Sequence, residues 1–295
     1  MNDNSRNTSL EFDNLEERKL KEIEHSRKRR SILQGFERHS DTDKSERVEK
    51  LESVILNKDA FDYNFSNMKF YSITNKSEEF QYKWLKERCV SGVKVLDFAC
   101  GNGENGIYAA QCGSEVIGID ISPEGVENAK LNAKQAGVYD HCRFEAMDGE
   151  NMTFSDNSFD LAVEYGALHH VDLDKAMVEL NRVLKPDGEM ICVEALRHNP
   201  LIHWYRKKTP HLRTEWEVEH ILGVESLAVA RKYFHNIDVK FFHLAVLAAV
   251  PFRKTPFIFK PVRVLLNKVD SLLLRSETIG KYGWIMIFTM SKPKK

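Results

Sequence analysis

Residues 96–106 read "LDFACGNGENG". The stretch ends an apolar run and opens a segment with helical spacing. Within it, Gly101-x-Gly103-x-x-Gly106 has the glycine spacing of a dinucleotide-binding loop, in which backbone N–H groups approach a ligand closely. The spacing alone leaves open whether the ligand is the pyrophosphate of NAD or another adenosine-bearing molecule.

Outward from the loop the texture is regular. "VKVLDFA" (93–99) reads as a buried strand and "ENGIYAAQCG" (104–113) as a helix closed by Gly113. "SEVIGID" reads as a second strand, and "PEGVENAKLNAKQAGV" as a helix with Pro123 near its start and Gly137 at its end. "CRFEAMD" and "FDLAVEYGAL" supply two more strands. "DLDKAMVELNRVLKPDG" reads as a helix closed by Pro186 and Gly188, and "EMICVEAL" as a fifth strand. Alternation of this kind predicts a parallel sheet covered on both faces, with right-handed crossovers. "DVKFFHLAVLAAV" and "GWIMIFTMSK" are the candidates for the last two strands.

In such a sheet ligands sit beyond the C-terminal strand ends, where the loop lies. Asp120 ends the second strand and is placed to accept hydrogen bonds from two ribose hydroxyls. Two further acids separate the ligand choices. Asp97, four residues before Gly101, is awkward beside a pyrophosphate but useful near an ammonium group. Asp148, after the third strand, suits an exocyclic adenine amine. Each acid also has a structural alternative as a cap or turn residue.

"VLDFACGNGENG", "GIDIS", "AMDGENMTF", "FDLAVEYGALHHV" and "RVLKPDG" together resemble, in order, the motifs of class I S-adenosylmethionine-dependent methyltransferases. The resemblance covers about residues 90–195. It implies an α/β fold with a Rossmann-like, seven-stranded, mostly parallel sheet flanked by helices, the last strand antiparallel. It implies S-adenosylmethionine as cofactor and S-adenosylhomocysteine as product. The methionine moiety would lie over Asp97, Ala99, Gly101, Asn102 and Gly103, the ribose on Asp120, and the adenine between Ile121 and Asp148–Gly149. Glu104 and Asn105 depart from the small residues usual after the loop; Glu104 suits a helix start, where negative charge is favourable.

Transfer to a hydroxyl or a carbon acid needs a base with a pKa near working pH, and an amine need only be bound neutral. His169 and His170, after the fourth strand, are the candidate bases. Glu164, an acid where the sheet pattern favours an apolar residue, is assigned to the cofactor side, and Tyr165 to the acceptor. After Ala195 the alternation stops, and residues 196–232 read as an inserted cap. Its "NPLIHWYRKKTPHLRTEWEVEHIL" resembles a segment of some bacterial small-molecule members of the family, with two extra residues between Arg213 and Glu219. His203, Tyr205, Arg206, Arg213 and His220 are the acceptor candidates there, and His211 is a further cap histidine. Arg206 and Arg213 either clamp an anionic acceptor or pair with Glu215, Glu217 or Glu219 to hold the cap.

Residues 1–60 form a charged arm with helical spacing, its basic cluster Arg27–Arg30 balanced by acids, and the expectation is a solvated helix. Residues 61–295 would be the methyltransferase domain, with a basic, apolar lid at 251–280. That lid packs as a lid or subunit contact, or docks on an anionic membrane where it would serve a lipid or quinone acceptor. Net charge is −1, and the place where nucleic-acid amine methyltransferases often carry an Asp/Asn-Pro-Pro-aromatic motif reads "EYGA", so nucleic acid is not the expected partner. The polar N-terminus lacks a secretory signal pattern, and five scattered cysteines without a CxxC pair suggest neither a metal site nor disulfides. The expectation is a cytoplasmic enzyme, with a homo-oligomer left open, that methylates an O or N atom of a small specialised metabolite. The alternatives are a lipid or quinone methyltransferase at a membrane, and a fold member that binds the cofactor without transferring methyl.

Overall fold

The computed structural model describes residues 15–33, 68–209 and 213–295. Seven strands form one sheet in the order β3-β2-β1-β4-β5-β7-β6. They are β1 (Lys94–Phe98), β2 (Glu115–Asp120), β3 (Cys142–Ala146), β4 (Phe159–Tyr165), β5 (Leu184–Ala195), β6 (Phe234–Phe242) and β7 (Ile285–Pro293). The first five pair in parallel, and β7 runs antiparallel between β5 and β6. This is the Rossmann-like architecture that the family resemblance implied, with the parallel part that the alternation predicted.

The helices are α1 (Glu17–Leu33), α2 (Asn75–Arg88), α3 (Glu104–Gln111), α4 (Pro123–Gln135), α5 (Leu173–Val183), α6 (Pro200–Lys208), α7 (Glu215–His220), α8 (Leu227–Tyr233) and α9 (Pro256–Leu273). Their starts follow local chemistry. Ser122 caps α4 by accepting from the Gly125 N–H, ahead of Pro123 in the first turn. Asp172 caps α5 by accepting from the N–H groups of Asp174 and Lys175. Such caps are worth about 1 kcal/mol each. Successive strand residues face opposite sides of the sheet, so Ile191 and Val193 of β5 join one buried cluster while Met190 and Cys192 join the other.

Three expectations are corrected. The helix over 172–188 stops at Val183, and β5 begins at Leu184. Pro186 disfavours helix at Lys185, and the chain instead enters the sheet across a register shift opposite Phe159 and Leu161. The strand read over 238–250 lies at Phe234–Phe242, and Ala245–Phe252 is a 3-10 stretch. His243 takes a left-handed conformation (φ 65°) that ends the strand, and the Asp270 carboxylate gathers the N–H groups of Leu244, Ala245 and Val246. The arm is not simply solvated either: Lys19, Glu22 and Ile23 of α1 are buried. Residues 34–60 of that arm, with Pro210 and His211 of the cap, lie outside the described residues, as do the side chains of residues 28–30. Arg27 donates to Glu124 at 2.6 Å.

Candidate active site

The glycine loop joins β1 to α3 at the C-terminal edge of the sheet. Ala99, Gly101 and Gly103 all have positive φ, at 54°, 57° and 82°. Gly103 is the N-cap of α3; a Cβ there would meet Ala129 and Phe144 at 3.0 Å, so α3 and α4 close around it only because it is glycine. The Cys100 N–H donates to the Ile119 carbonyl at 2.7 Å, tying the loop to β2. The Asn102 carbonyl accepts from Asn132 at 3.0 Å. Glu104 opens α3 at its first position, beside the positive end of the helix dipole. The Asn105 side-chain Oδ1 accepts from Gln81 Nε2 of α2.

The three acids are brought to this edge in different states. Asp120 accepts from the Gly101 N–H through Oδ2 and from the Ser122 N–H through Oδ1, both at 2.8 Å. It therefore braces the loop from the strand end where a ribose acceptor was expected. Asp97 is buried and accepts from the Gly106 N–H at 2.8 Å. Burial pushes its carboxyl up to about 7, against the pull of that N–H, and the Asp120 charge adds to the rise. Asp148 is already engaged: Oδ2 accepts from Lys19 of α1 at 2.6 Å and Oδ1 from the Glu150 N–H at 2.9 Å. Gly149 is required beside it, since a Cβ would strike the Phe98 ring at 2.6 Å. Ile121 is half-buried next to Asp120.

Around these groups α1 is clamped on the domain. Arg18 holds both oxygens of Glu150 at 2.7 and 2.9 Å and donates to the His170 carbonyl at 3.1 Å. Lys19 lies 3.0 Å from Glu150 Oε2. Burial lowers the Lys19 ammonium, but Asp148 and Glu150 outweigh it and hold the group above its usual range. Glu22 bridges His170 (2.9 Å to Nδ1) and the Thr214 hydroxyl (2.5 Å). Arg18, Lys19, Glu22 and Glu150 escape a reading by hydrophobic period. Their signal is the i, i+3, i+4 placement of Lys19, Glu22 and Ile23 on one face of α1.

The acceptor side centres on the 3-10 turn Leu168–His170 after β4. His169 Nδ1 lies 2.7 Å from Glu194 Oε2, and Glu194 Oε1 accepts from the Leu168 N–H at 2.6 Å. Burial pushes the His169 imidazole down, but the Glu194 carboxylate outweighs it and raises the ring above its ordinary value. Glu164, expected on the cofactor side, sits fully buried in β4 and accepts from the Ala167 N–H. Burial, and then the neighbouring Glu194 charge, drive its carboxyl well above the usual range. Glu194 was missed in the sequence; its signal is an acid inside the otherwise apolar run "MICVEAL".

The cap residues divide. Tyr205 packs edge-on against Phe70 at 5.0 Å between ring centroids, under the Lys69 ammonium. Arg206 donates to the Leu196 carbonyl at 2.8 Å, and burial lowers it to about 10. Arg213 follows the structural alternative, 3.3 Å from Glu217 and donating to the Thr209 carbonyl. His203 and His220 are exposed and do not join the buried group around His169. α6 turns Ile202 inward instead, and the His220 ring stacks on Trp216 at 3.6 Å with Nδ1 committed to the Trp216 carbonyl. Tyr165 is half-buried at the end of β4.

Among the described residues, Glu164 Oε2, the Tyr205 hydroxyl and Trp216 Nε1 are buried without a hydrogen-bond partner. With Asp97 and Asp120 at the glycine loop, the residues fit an adenosine-bearing cation.

A profile of the methyltransferase domain family matches residues 90–240, half of the chain. The chain belongs to this family, among the class I S-adenosylmethionine-dependent methyltransferases, whose cofactor is S-adenosylmethionine. A sterol 4-C-methyltransferase of Caenorhabditis elegans is 32% identical over 136 residues, 46% of this chain and 40% of that protein. A demethylmenaquinone methyltransferase of Lactiplantibacillus plantarum is 32% identical over 127 residues, 40% of this chain and 54% of its own length. The PH0226 protein of Pyrococcus horikoshii shares the fold, with a TM-score of 0.52 at 17% identity over 81% of this chain and all of that one. The chain spans about half the length of the curated relatives it matches.

Proposed function

We propose that the protein transfers a methyl group from S-adenosylmethionine to a small-molecule acceptor whose nucleophilic atom must first lose a proton, a hydroxyl oxygen or an acidic carbon. The cofactor supplies an electrophilic methyl on a sulfonium. The carrying observation is the His169–Glu194 pair on the loop after β4. In the neutral ring Glu194 keeps the proton on Nδ1, which leaves Nε2 to take the acceptor's proton, and its charge then stabilises the imidazolium that forms. A neutral amine or a carboxylate has no need of such a pair. The sterol 4-C-methyltransferase activity named for one relative supports an apolar acceptor and adds carbon to the acceptor atoms read from the sequence. In this reading residues 196–232 form the acceptor-side cap, with Tyr205 and Trp216 offering their orphaned polar atoms inside an aromatic wall. Glu194 acts through His169 and is a positioning residue.

The test is methyl-labelled S-adenosylmethionine with a panel of quinols, phenols and sterols. Label is expected on a hydroxyl or ring-carbon acceptor, and His169→Gln should lower kcat by on the order of 10²-fold. Glu194→Gln should lower kcat and move the acid limb of the pH profile downward, because the imidazolium loses its carboxylate. An unmoved limb in Glu194→Gln, or a His169→Gln variant as active as wild type, refutes the base assignment.

A further inference from the structure

The segment 251–281 carries seven basic residues and two acids in a chain whose net charge is −1. One of those acids, Asp270, is buried, its carboxylate taken by three backbone N–H groups. α9 runs through this segment and is apolar on two faces. Its inner face is anchored by Phe259 and Asp270, with Val262 and Leu266 packed on the same core cluster as Tyr205 and Trp284. Its outer face presents Phe257, Val264, Leu265 and Leu272, which are 79%, 55%, 61% and 66% exposed. These four fall at i, i+7, i+8 and i+15, one stripe of an α-helix. Lys268 lies within that stripe and Lys260 on its flank, both exposed. Among the described residues no helix is long and apolar enough to cross a membrane.

We propose that α9 is a docking helix for an anionic membrane surface, lying in the headgroup plane with Phe257, Val264, Leu265 and Leu272 in the acyl boundary. An apolar stripe fringed by lysines is what such an interface binds, and lysine stems reach outward while their aliphatic parts stay in the apolar layer. A second copy of the chain fits this face poorly. A two-fold contact would set Lys260, Lys268 and Arg275 against their own counterparts, with the single exposed acid Glu277 to offset them. The position is useful. β6 runs parallel to β5, so the 3-10 stretch 245–252 and the start of α9 leave the sheet at the glycine-loop edge, and an acceptor held in a bilayer would meet the cap side of the site. The docking rests on α9 alone, so it stands or falls independently of methyl transfer.

The experiment is flotation of the full chain with phosphatidylcholine vesicles, with and without phosphatidylglycerol, at low and physiological salt. Binding to the anionic vesicles is expected. Leu265→Ser with Leu272→Ser should reduce partition at least about 10-fold, and Lys260→Gln with Lys268→Gln by on the order of 30-fold on anionic vesicles only. Both pairs are exposed, and an unchanged circular-dichroism melt confirms that each variant folds. Failure to float with anionic vesicles at low salt overturns the proposal, as does flotation of both variants like wild type. A dimer in sedimentation velocity that Leu265→Ser with Leu272→Ser dissociates, without vesicle binding, assigns the face to a second copy instead.

Discussion

Asp97 is an ionisable group held in the core at a cost, and Asp97→Asn measures that cost. Burial raises its pKa from 3.8 to about 7. A carboxylate whose folded pKa lies above its unfolded value destabilises the fold once pH exceeds the unfolded value, and the full penalty applies above the folded one. A displacement of about three units at about 1.4 kcal/mol each gives a penalty of about 4 kcal/mol at pH 8, falling to about 1.6 kcal/mol at pH 5. Asparagine keeps an oxygen for the Gly106 N–H but buries an amide, which costs about 1–3 kcal/mol if its donors find no partner. The expected net effect is a gain of about 2 kcal/mol at pH 8 and none at pH 5, a rise in Tm of roughly 4–8 °C at pH 8 for a chain of this size. Calorimetric melts without cofactor at both pH values read this directly. The same substitution should weaken S-adenosylhomocysteine at least about 10-fold at pH 8, and wild-type affinity should rise as pH passes through about 7 and the carboxylate ionises. A Tm change that is the same at pH 5 and pH 8, or a variant less stable at pH 8, refutes the reasoning.

Two further outcomes concern the cofactor cleft. Asp120→Ala removes the brace on the Gly101 N–H and the ribose acceptor together, and calorimetry should find S-adenosylhomocysteine weakened by about 10-fold or more; unchanged binding counts against the ribose assignment. Lys19→Met frees Asp148 from its ammonium partner while Arg18 still neutralises Glu150, so S-adenosylhomocysteine should bind about 3–10-fold tighter as the adenine amine gains an acceptor; weaker binding would mean that Lys19 holds the cleft rather than competes within it.

What could be read from the sequence was local in origin. β1 to β5 and their helices were legible because apolar period, proline and glycine stops repeat within 20 or so residues. The glycine loop and Asp120 were legible because backbone geometry and strand-end position constrain them. The buried face of α1 was harder to read, because two of its three i, i+3, i+4 positions are charged, and Lys19 is buried and Arg18 half-buried by partners about 130 residues away. Glu194 went unread for a similar reason: its meaning comes from facing His169 across two strand ends 25 residues apart. The apolar run 244–250 looked like strand because hydrophobicity alone does not separate a strand from a buried 3-10 stretch. Asp270, a residue on α9, decides it.

The two halves of the site therefore rest on different parts of the chain. The cofactor half is built within residues 90–240 from backbone N–H groups and strand-end acids, features that a parallel sheet and a glycine loop impose together. In the proposed reading the acceptor half also draws on α1, which lies outside residues 90–240. α1 reaches His170 through Arg18 and Glu22, and Glu22 also holds Thr214 at the start of α7. Arg18 lies 4.4 Å over the Trp216 ring. The turn that carries His169 is thus fixed on one side by Glu194 in the sheet and on the other by the arm and the cap. The contacts of Arg18 and Glu22 join α1 to that turn and to the cap. In the proposed reading the arm and the cap hold the turn that meets the acceptor, while the glycine loop and the strand-end acids hold the cofactor.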